Sequence, residues 1–297
     1  MYYKVKTHNH KQDTHPINRM NLHLARHQGM CFGVRDALRA THVAASQEPV
    51  TVLGQLVHNP VVDRHLRAVG VRRGALDAPA ATSRVVITAH GVAAVERDRW
   101  LAAGHTITDT TCPLVRKAHE ALALLVAEGC HPVVIGQAGH AEVRGLIGDH
   151  PVACVIDTLE DLAGLPTTTP RFGVVAQTTQ PLERVLSLLD ALKRSRPSAE
   201  VRFFDTVCRP TKQRQAALEE LAGYCQAIVV VGGRNSNNTR QLADKARGLG
   251  VQVFAVETAD ELQVGWFAGL AEVGVTAGTS TLDETVAAVV ERLKTFS

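Results

Sequence analysis

Aromatic side chains are scarce in this 297-residue chain, at 4%, and Lys plus Arg (32) nearly balance Asp plus Glu (29). With few stacking platforms, no Lys/Arg-rich run and no basic helix stripe, a nucleic-acid partner has little to hold. No apolar run approaches the roughly 20 residues needed to cross a bilayer. No stretch has the basic, apolar and small-residue order of a secretory signal. A cytoplasmic location is the expectation, and in that reducing compartment disulfides are not expected. The six cysteines, at 31, 112, 130, 154, 208 and 225, include no CxxC, which sets aside zinc-ribbon and thioredoxin motifs.

What remains is ordinary globular composition, 45% hydrophobic and 21% charged, with length for two or three small domains. Residues 1–19 carry three of the fourteen histidines and no apolar periodicity, and read as a leader or tail outside the fold. A strand is expected from Asn21 to His27.

Aligned on Cys31, Cys112 and Cys208, the chain repeats. The spacings are 81 and 96 residues, and each cysteine is followed four positions on by a basic residue: Arg35, Arg116 and Lys212. Each follows an extended segment and opens a helix, expected over Val34 to Ser46, Pro113 to Glu128 and Pro210 to Tyr224, two of them with proline in the first turn. Polar loops recur at +27 or +28, around His58, His140 and Ser236 to Asn238, each after a strand. A later strand in each unit ends in a second polar loop, at His90, at Gln177 to Thr179, and at Gly278 to Ser280. Three similar units of strands alternating with helices predict α/β layering and parallel sheets. Functional loops in such sheets lie at the carboxyl ends of strands, where all three cysteines and all six loops fall. Units arranged about a pseudo-threefold axis would bring the cysteines to one point with the polar loops around it.

A cysteine at a helix N-terminus is expected to have a lowered pKa. Three soft thiolates select zinc or an iron–sulfur cluster; three ligands on a four-iron cube leave one iron open. Cys130, Cys154 and Cys225 lie outside the repeat and read as buried structural thiols. His58, His90, His140, Ser236, Asn238 and Ser280, with helix-start N–H groups, make an anion cradle sized for a phosphate or diphosphate. Glu142 is the single carboxylate in these loops and could relay protons.

With these residues in place, the sequence resembles the 4-hydroxy-3-methylbut-2-enyl diphosphate reductases, the last enzymes of the non-mevalonate isoprenoid route. The resemblance lies in GMCFGV (29–34), VHNP (57–60), TAHGV (88–92), DTTCPLV (109–115), IGQAGHAEV (135–143), AQTTQ (176–180), DTVC (205–208), TKQRQ (211–215), VGGRNSNNT (231–239) and VTAGTS (275–280). It implies a trefoil of α/β domains around a [4Fe–4S] cluster, with Cys31, Cys112 and Cys208 as ligands and one iron open to the substrate's hydroxyl. It further implies that His58, His90, His140, Ser236, Asn238 and Ser280 hold the diphosphate, and that Glu142 and Thr178 lie by the C4 oxygen with Glu142 feeding protons. Electrons would come from a ferredoxin or flavodoxin, and the products would be isopentenyl and dimethylallyl diphosphates. The expected lobes are 32–112, 113–204, and 20–31 together with 205–297. Departures from the family pattern fall at His27-Gln28, Met30, Gln137, Ala141, Arg209-Pro210, Asn237 and Thr281. None removes a ligand or the proton donor, and Arg209, if buried by the cluster, would raise its potential. Alternatives are a divergent reductase or dehydratase of another allylic diphosphate, a redox sensor that keeps the cluster without turnover, and a zinc-binding structural protein.

Overall fold

The computed structural model describes residues 20–296; the reading of residues 1–19 lies outside the described residues. The first element among the described residues is strand β1 (Asn21–Leu24). It continues through α1 (Phe32–Gln47), β2 (Val50–Leu53), α2 (Pro60–Ala68), β3 (Arg72–Gly74), β4 (Arg84–Ile87), α3 (Ala94–Ala102) and β5 (Thr106–Asp109). Next come α4 (Pro113–Ala127), β6 (His131–Ile135), α5 (Ala141–Gly148), β7 (Cys154–Ile156), β8 (Arg171–Ala176), α6 (Leu182–Ser195) and β9 (Glu200–Phe203). The last stretch holds α7 (Arg209–Ala222), β10 (Ala227–Val231), α8 (Asn237–Gly248), β11 (Gln252–Val256), β12 (Glu272–Ala277) and α9 (Asp283–Lys294).

The strands form three four-stranded sheets, ordered β3-β2-β4-β5, β7-β6-β8-β9 and β11-β10-β12-β1, and every pairing is parallel. The protein is α/β, with one sheet order used three times. In the third sheet the edge strand comes from the chain's start, β1, so the repeat is closed by the two ends of the described chain. Parallel strands covered on both faces read as continuous apolar runs. Accordingly β10, Ala-Ile-Val-Val-Val, is wholly buried. Helix α6 shows the complementary pattern, burying Val185, Leu188, Leu189 and Leu192 at the i, i+3, i+4, i+7 spacing of one face. Each such side chain contributes about 1.5–3 kcal/mol of burial.

Strand β1 is shorter than expected. Its ladder with β12 ends at Leu24↔Val275, and the chain then turns through Gly29, whose φ of +71° is left-handed, to deliver Cys31. Short side-chain links join the three sheets' units. Asn59 donates from Nδ2 to the Ser280 carbonyl at 2.7 Å, Asn237 donates from Nδ2 to Thr179 Oγ1 at 3.0 Å, and the Asp149 carboxylate accepts from the N–H groups of Ala94 and Val95 that start α3.

Candidate active site

Cys31, Cys112 and Cys208 are the N-cap residues of α1, α4 and α7. Each is preceded by the edge strand of its sheet (β1, β5, β9), and each is pinned in the same way. Its backbone N–H donates to a carbonyl in the polar loop after the neighbouring strand: Cys31 to Thr279 (3.0 Å), Cys112 to Ala89 (3.1 Å) and Cys208 to Thr178 (2.9 Å). Sheet order thus sets every cysteine beside a polar loop. The three thiols line one cavity. Close approach there needs glycine: a Cβ on Gly33 would lie 2.5 Å from Cys112 Sγ. The basic residue four positions after each cysteine makes a surface ion pair: Arg35 with Asp283, Arg116 with Asp109, and Lys212 with Asp205.

The expected lowering of thiol pKa is not what the structure gives. Burial raises Cys112 and pushes Cys208 up to about 11, outweighing the N–H groups that act the other way. Desolvation wins over the helix dipole because burial penalises the charged thiolate more than the helix-start donors favour it. Coordination to a metal reverses the balance, since ligation displaces the proton. Of the remaining cysteines, Cys130 and Cys225 are buried as expected. Cys154 is half-exposed instead, with its sulfur 3.3 Å from His131 Nε2 at the end of a three-residue strand.

The same cavity is lined by His58, His90, His140, Glu142, Thr178, Ser236, Asn238 and Ser280. All eleven expected site residues therefore meet at one place. His58 and His90 stack at 4.3 Å between ring centroids, and His140 stands edge-on to both at 5.0 and 5.3 Å. Burial lowers all three pKa values, that of His140 to about 3, and each proton would repel the next. Their nitrogens come within 4.8 Å of one another, a spacing that could also suit a cation. Hydrogen bonding argues for an anion. His140 Nδ1 accepts the Glu142 N–H at 3.1 Å, so the neutral ring carries its proton on Nε2 and is a donor. Gln55 donates from Nε2 to Asp63 and so turns Oε1 toward His58 Nδ1 at 3.1 Å.

In the same cavity, Ser280 Oγ and Asn238 Nδ2 are buried without a hydrogen-bond partner. Asn238 is held by its other amide atom, Oδ1, which accepts from Thr279 N at 3.0 Å. A buried unpaired donor is costly, and two from residues lining one cavity point to a polar ligand. Ser236 caps α8.

Glu142, in the first turn of α5, is 2% exposed. Its carboxylate accepts the Thr178 N–H at 2.6 Å and the Thr178 hydroxyl at 3.0 Å. Burial still dominates and raises its pKa to about 7. An acid poised near neutrality beside a hydroxyl is suited to delivering a proton.

Two residues here, Arg214 and Gln177, carry no signal in a local pattern, whereas Arg209 is expected to matter if buried. Arg209 is exposed and puts no charge at the thiols, because it sits at the outward first position of α7. The buried cation is Arg214, further along the same helix. Gln177 organises the polar loops, its Oε1 accepting from the Gln137 N–H at 3.0 Å and from Gln180 Nε2 at 3.2 Å.

Residues 22–294 match the family described as LytB protein. The 4-hydroxy-3-methylbut-2-enyl diphosphate reductase of Geobacter metallireducens is 36% identical over 279 residues, covering 93% of this chain and 97% of that protein. The reductase of the same name from Aquifex aeolicus is 34% identical over 278 residues, with 91% and 95% covered. A solved structure of (E)-4-hydroxy-3-methyl-but-2-enyl diphosphate reductase, the terminal enzyme of the non-mevalonate pathway, is 33% identical, with 93% of this chain and 100% of that one covered at a TM-score of 0.67. A structure of the reductase from Plasmodium falciparum superposes at a TM-score of 0.85, with 92% and 87% covered; at 24% identity it bears on the fold alone.

Proposed function

The chain belongs to the LytB protein family, and from that premise we propose that it reduces (E)-4-hydroxy-3-methylbut-2-enyl diphosphate to isopentenyl and dimethylallyl diphosphates. It is an oxidoreductase; the substrate, the products and the residue roles are our reading. The reaction takes up two electrons and two protons, and the C4 hydroxyl leaves as water. The observation that carries the reading is the single cavity on which three thiols, three imidazoles, an acid with its hydroxyl partner, and two unpaired donors converge.

The donor set fits an iron–sulfur centre. Three soft ligands from three separate units, with no fourth cysteine lining the cavity, match a cubane with one position left unligated by the protein. Cys31, Cys112 and Cys208 would hold it. When bound, such a centre supplies single electrons and Lewis acidity.

The chain's own residues do the rest. His140 offers an Nε2–H, and Asn238 Nδ2 and Ser280 Oγ offer unpaired donors, so a diphosphate satisfies groups that otherwise stay buried and unpaired. His58 and His90 line the same cavity, and a polyanion there favours protonation of rings that burial otherwise keeps neutral. The diphosphate anchor fixes the distance to the allylic end, which lies toward Glu142 and Thr178. Glu142 holds a proton between its carboxyl and Thr178 Oγ1 and delivers it to the departing hydroxyl oxygen. The lobes expected at 32–112, 113–204, and 20–31 with 205–297 belong to the same reading, supported by each sheet drawing its strands from one of these sets. No helix among the described residues is long and apolar enough to cross a membrane. A cytoplasmic setting and a ferredoxin or flavodoxin as donor complete the proposal.

The test is an anaerobic assay of iron-loaded protein with this substrate and a reduced low-potential donor, with product analysis. Formation of both isomers supports the reading. No consumption of this substrate, but turnover of another allylic diphosphate, favours a divergent reductase; a stable redox-active centre with no turnover favours a sensor. His58→Ala should weaken inorganic pyrophosphate binding about tenfold, the value of one charge-assisted hydrogen bond, while iron content stays unchanged. Unchanged affinity by calorimetry would remove His58 from the cradle.

A further inference from the structure

The three helices that begin at the cysteines differ at one buried position. Six residues after Cys31 is Ala37, and six after Cys112 is Ala118, both in the core. Six after Cys208 is Arg214, and it too is buried, at 6% exposure. Packing in the other two helices asks only for a methyl group, so a guanidinium here answers some other need.

No carboxylate lies within ion-pair distance of Arg214 among the described residues. Its Nη1 donates to the Pro210 carbonyl at 2.9 Å and its Nη2 to the Gly29 carbonyl at 2.5 Å, while Nε is buried with no partner. The Pro210 carbonyl lies two residues after Cys208 and the Gly29 carbonyl two residues before Cys31. One side chain therefore ties together two thiol-bearing segments about 180 residues apart in sequence. Burial is the main influence on the guanidinium and disfavours its charge; negative charge at Cys31 and Cys208 would favour it, and Arg35, itself paired with Asp283, opposes it. A buried cation without a counter-charge is strongly disfavoured, and both segments that Arg214 holds carry a cysteine that would ligate the centre, so a bound, negatively charged centre would supply the missing counter-charge.

We propose that Arg214 is a positioning residue for the metal centre: it is the fixed counter-charge of the Cys31 and Cys208 thiolates and the brace between their two segments. The proposal rests on the reading of the site given above. A fixed positive charge next to a negatively charged centre favours its reduced form, so Arg214 also sets how readily the centre accepts an electron.

The test compares full-length wild type with Arg214→Met, Arg214→Gln and Arg214→Lys. Each is studied metal-free and after anaerobic loading with ferrous iron and sulfide. Three readouts are taken: the urea midpoint, the rate of iron loss to a chelator, and the reduction potential. Arg214→Met should leave the metal-free midpoint within error of wild type or higher. In the loaded form it should lose iron at least tenfold faster, and its potential should be more negative by a tenfold change in the reduction equilibrium, about 59 mV for a one-electron couple. Arg214→Lys should hold the potential near wild type. Equal destabilisation of the metal-free and loaded forms, with no change of potential, would make Arg214 a structural brace only and overturn the proposal while leaving the site reading intact. Wild type that takes up no iron and sulfide would overturn both. Should the methionine variant not fold, lysine and glutamine decide: potential follows charge if the proposal holds, and equal potentials in those two variants contradict it.

Discussion

Glu142→Gln should lower turnover by about two to four orders of magnitude, the usual contribution of a positioned acid, while iron content and pyrophosphate affinity stay near wild type. Glutamine is nearly isosteric. It can still accept the Thr178 N–H and can donate to the Thr178 hydroxyl, so the loop geometry survives and only the transferable proton is lost. The pH dependence carries the same information. With a pKa of about 7, caused first by burial, Glu142 is protonated below neutrality and loses its proton above it. A step that needs the acid form should decline about tenfold per pH unit above 7 in wild type. Stability has a matching sign. The folded pKa of about 7 exceeds the ordinary 4.5. The group's favourable contribution is therefore complete below pH 4.5 and lost as pH rises through 7, on the order of 3 kcal/mol. Metal-free Glu142→Gln should be the more stable protein at pH 8 by about that amount, and no more stable than wild type at pH 4. Steady-state kinetics and urea titration at the two pH values check both halves. Normal turnover in the variant removes Glu142 from the proton path.

The second large effect concerns sulfur. Cys31→Ser, Cys112→Ser and Cys208→Ser should each lose most bound iron and essentially all turnover. A serine hydroxyl is a harder, weaker ligand, and removing one of three thiolates leaves too few to hold the centre. Cys130→Ser, Cys154→Ser and Cys225→Ser should retain iron and turnover. The two buried cases, Cys130 and Cys225, should cost stability, because each places a hydroxyl in an apolar site. The contrast is sharp because all six thiols are unpaired and none is joined by a disulfide. Iron analysis and urea midpoints on the six variants read both effects. Gly33→Ala should behave like a mild ligand mutant, since its new methyl would press on Cys112 Sγ at 2.5 Å.

Much of this arrangement is visible in the amino-acid order, because the repeat is written in local signals. A cysteine between a strand and a helix, and a polar loop at a fixed distance from it, are short-range patterns; Cys31, Cys112 and Cys208 all become N-caps. Strands Val50–Leu53, His131–Ile135 and Ala227–Val231 fall where apolar runs and turn residues place them. What was not legible depends on the surroundings of a residue in three dimensions. Thiol pKa follows burial by distant segments, which no helix-terminus argument contains, so Cys208 is raised and not lowered. Arg209 and Arg214 are both arginines on one helix, and only the packing of α7 turns the first outward and the second inward. Links such as Asn59 to Ser280 join residues 221 positions apart, for which a single sequence has no periodicity to read. The early end of β1 is also a matter of long-range pairing: its ladder stops at Leu24↔Val275 although β12 runs on to Ala277 against β10.

Cysteine footprinting of the anaerobically loaded full-length protein tests the central claim most directly. Iron and acid-labile sulfide are counted per chain, and the native protein is alkylated before and after loading, with each cysteine read by mass spectrometry. The account predicts a cubane's iron and sulfide, with loading-dependent protection confined to Cys31, Cys112 and Cys208. Zinc in place of iron and sulfide, or protection that leaves any one of these three reactive, would contradict it.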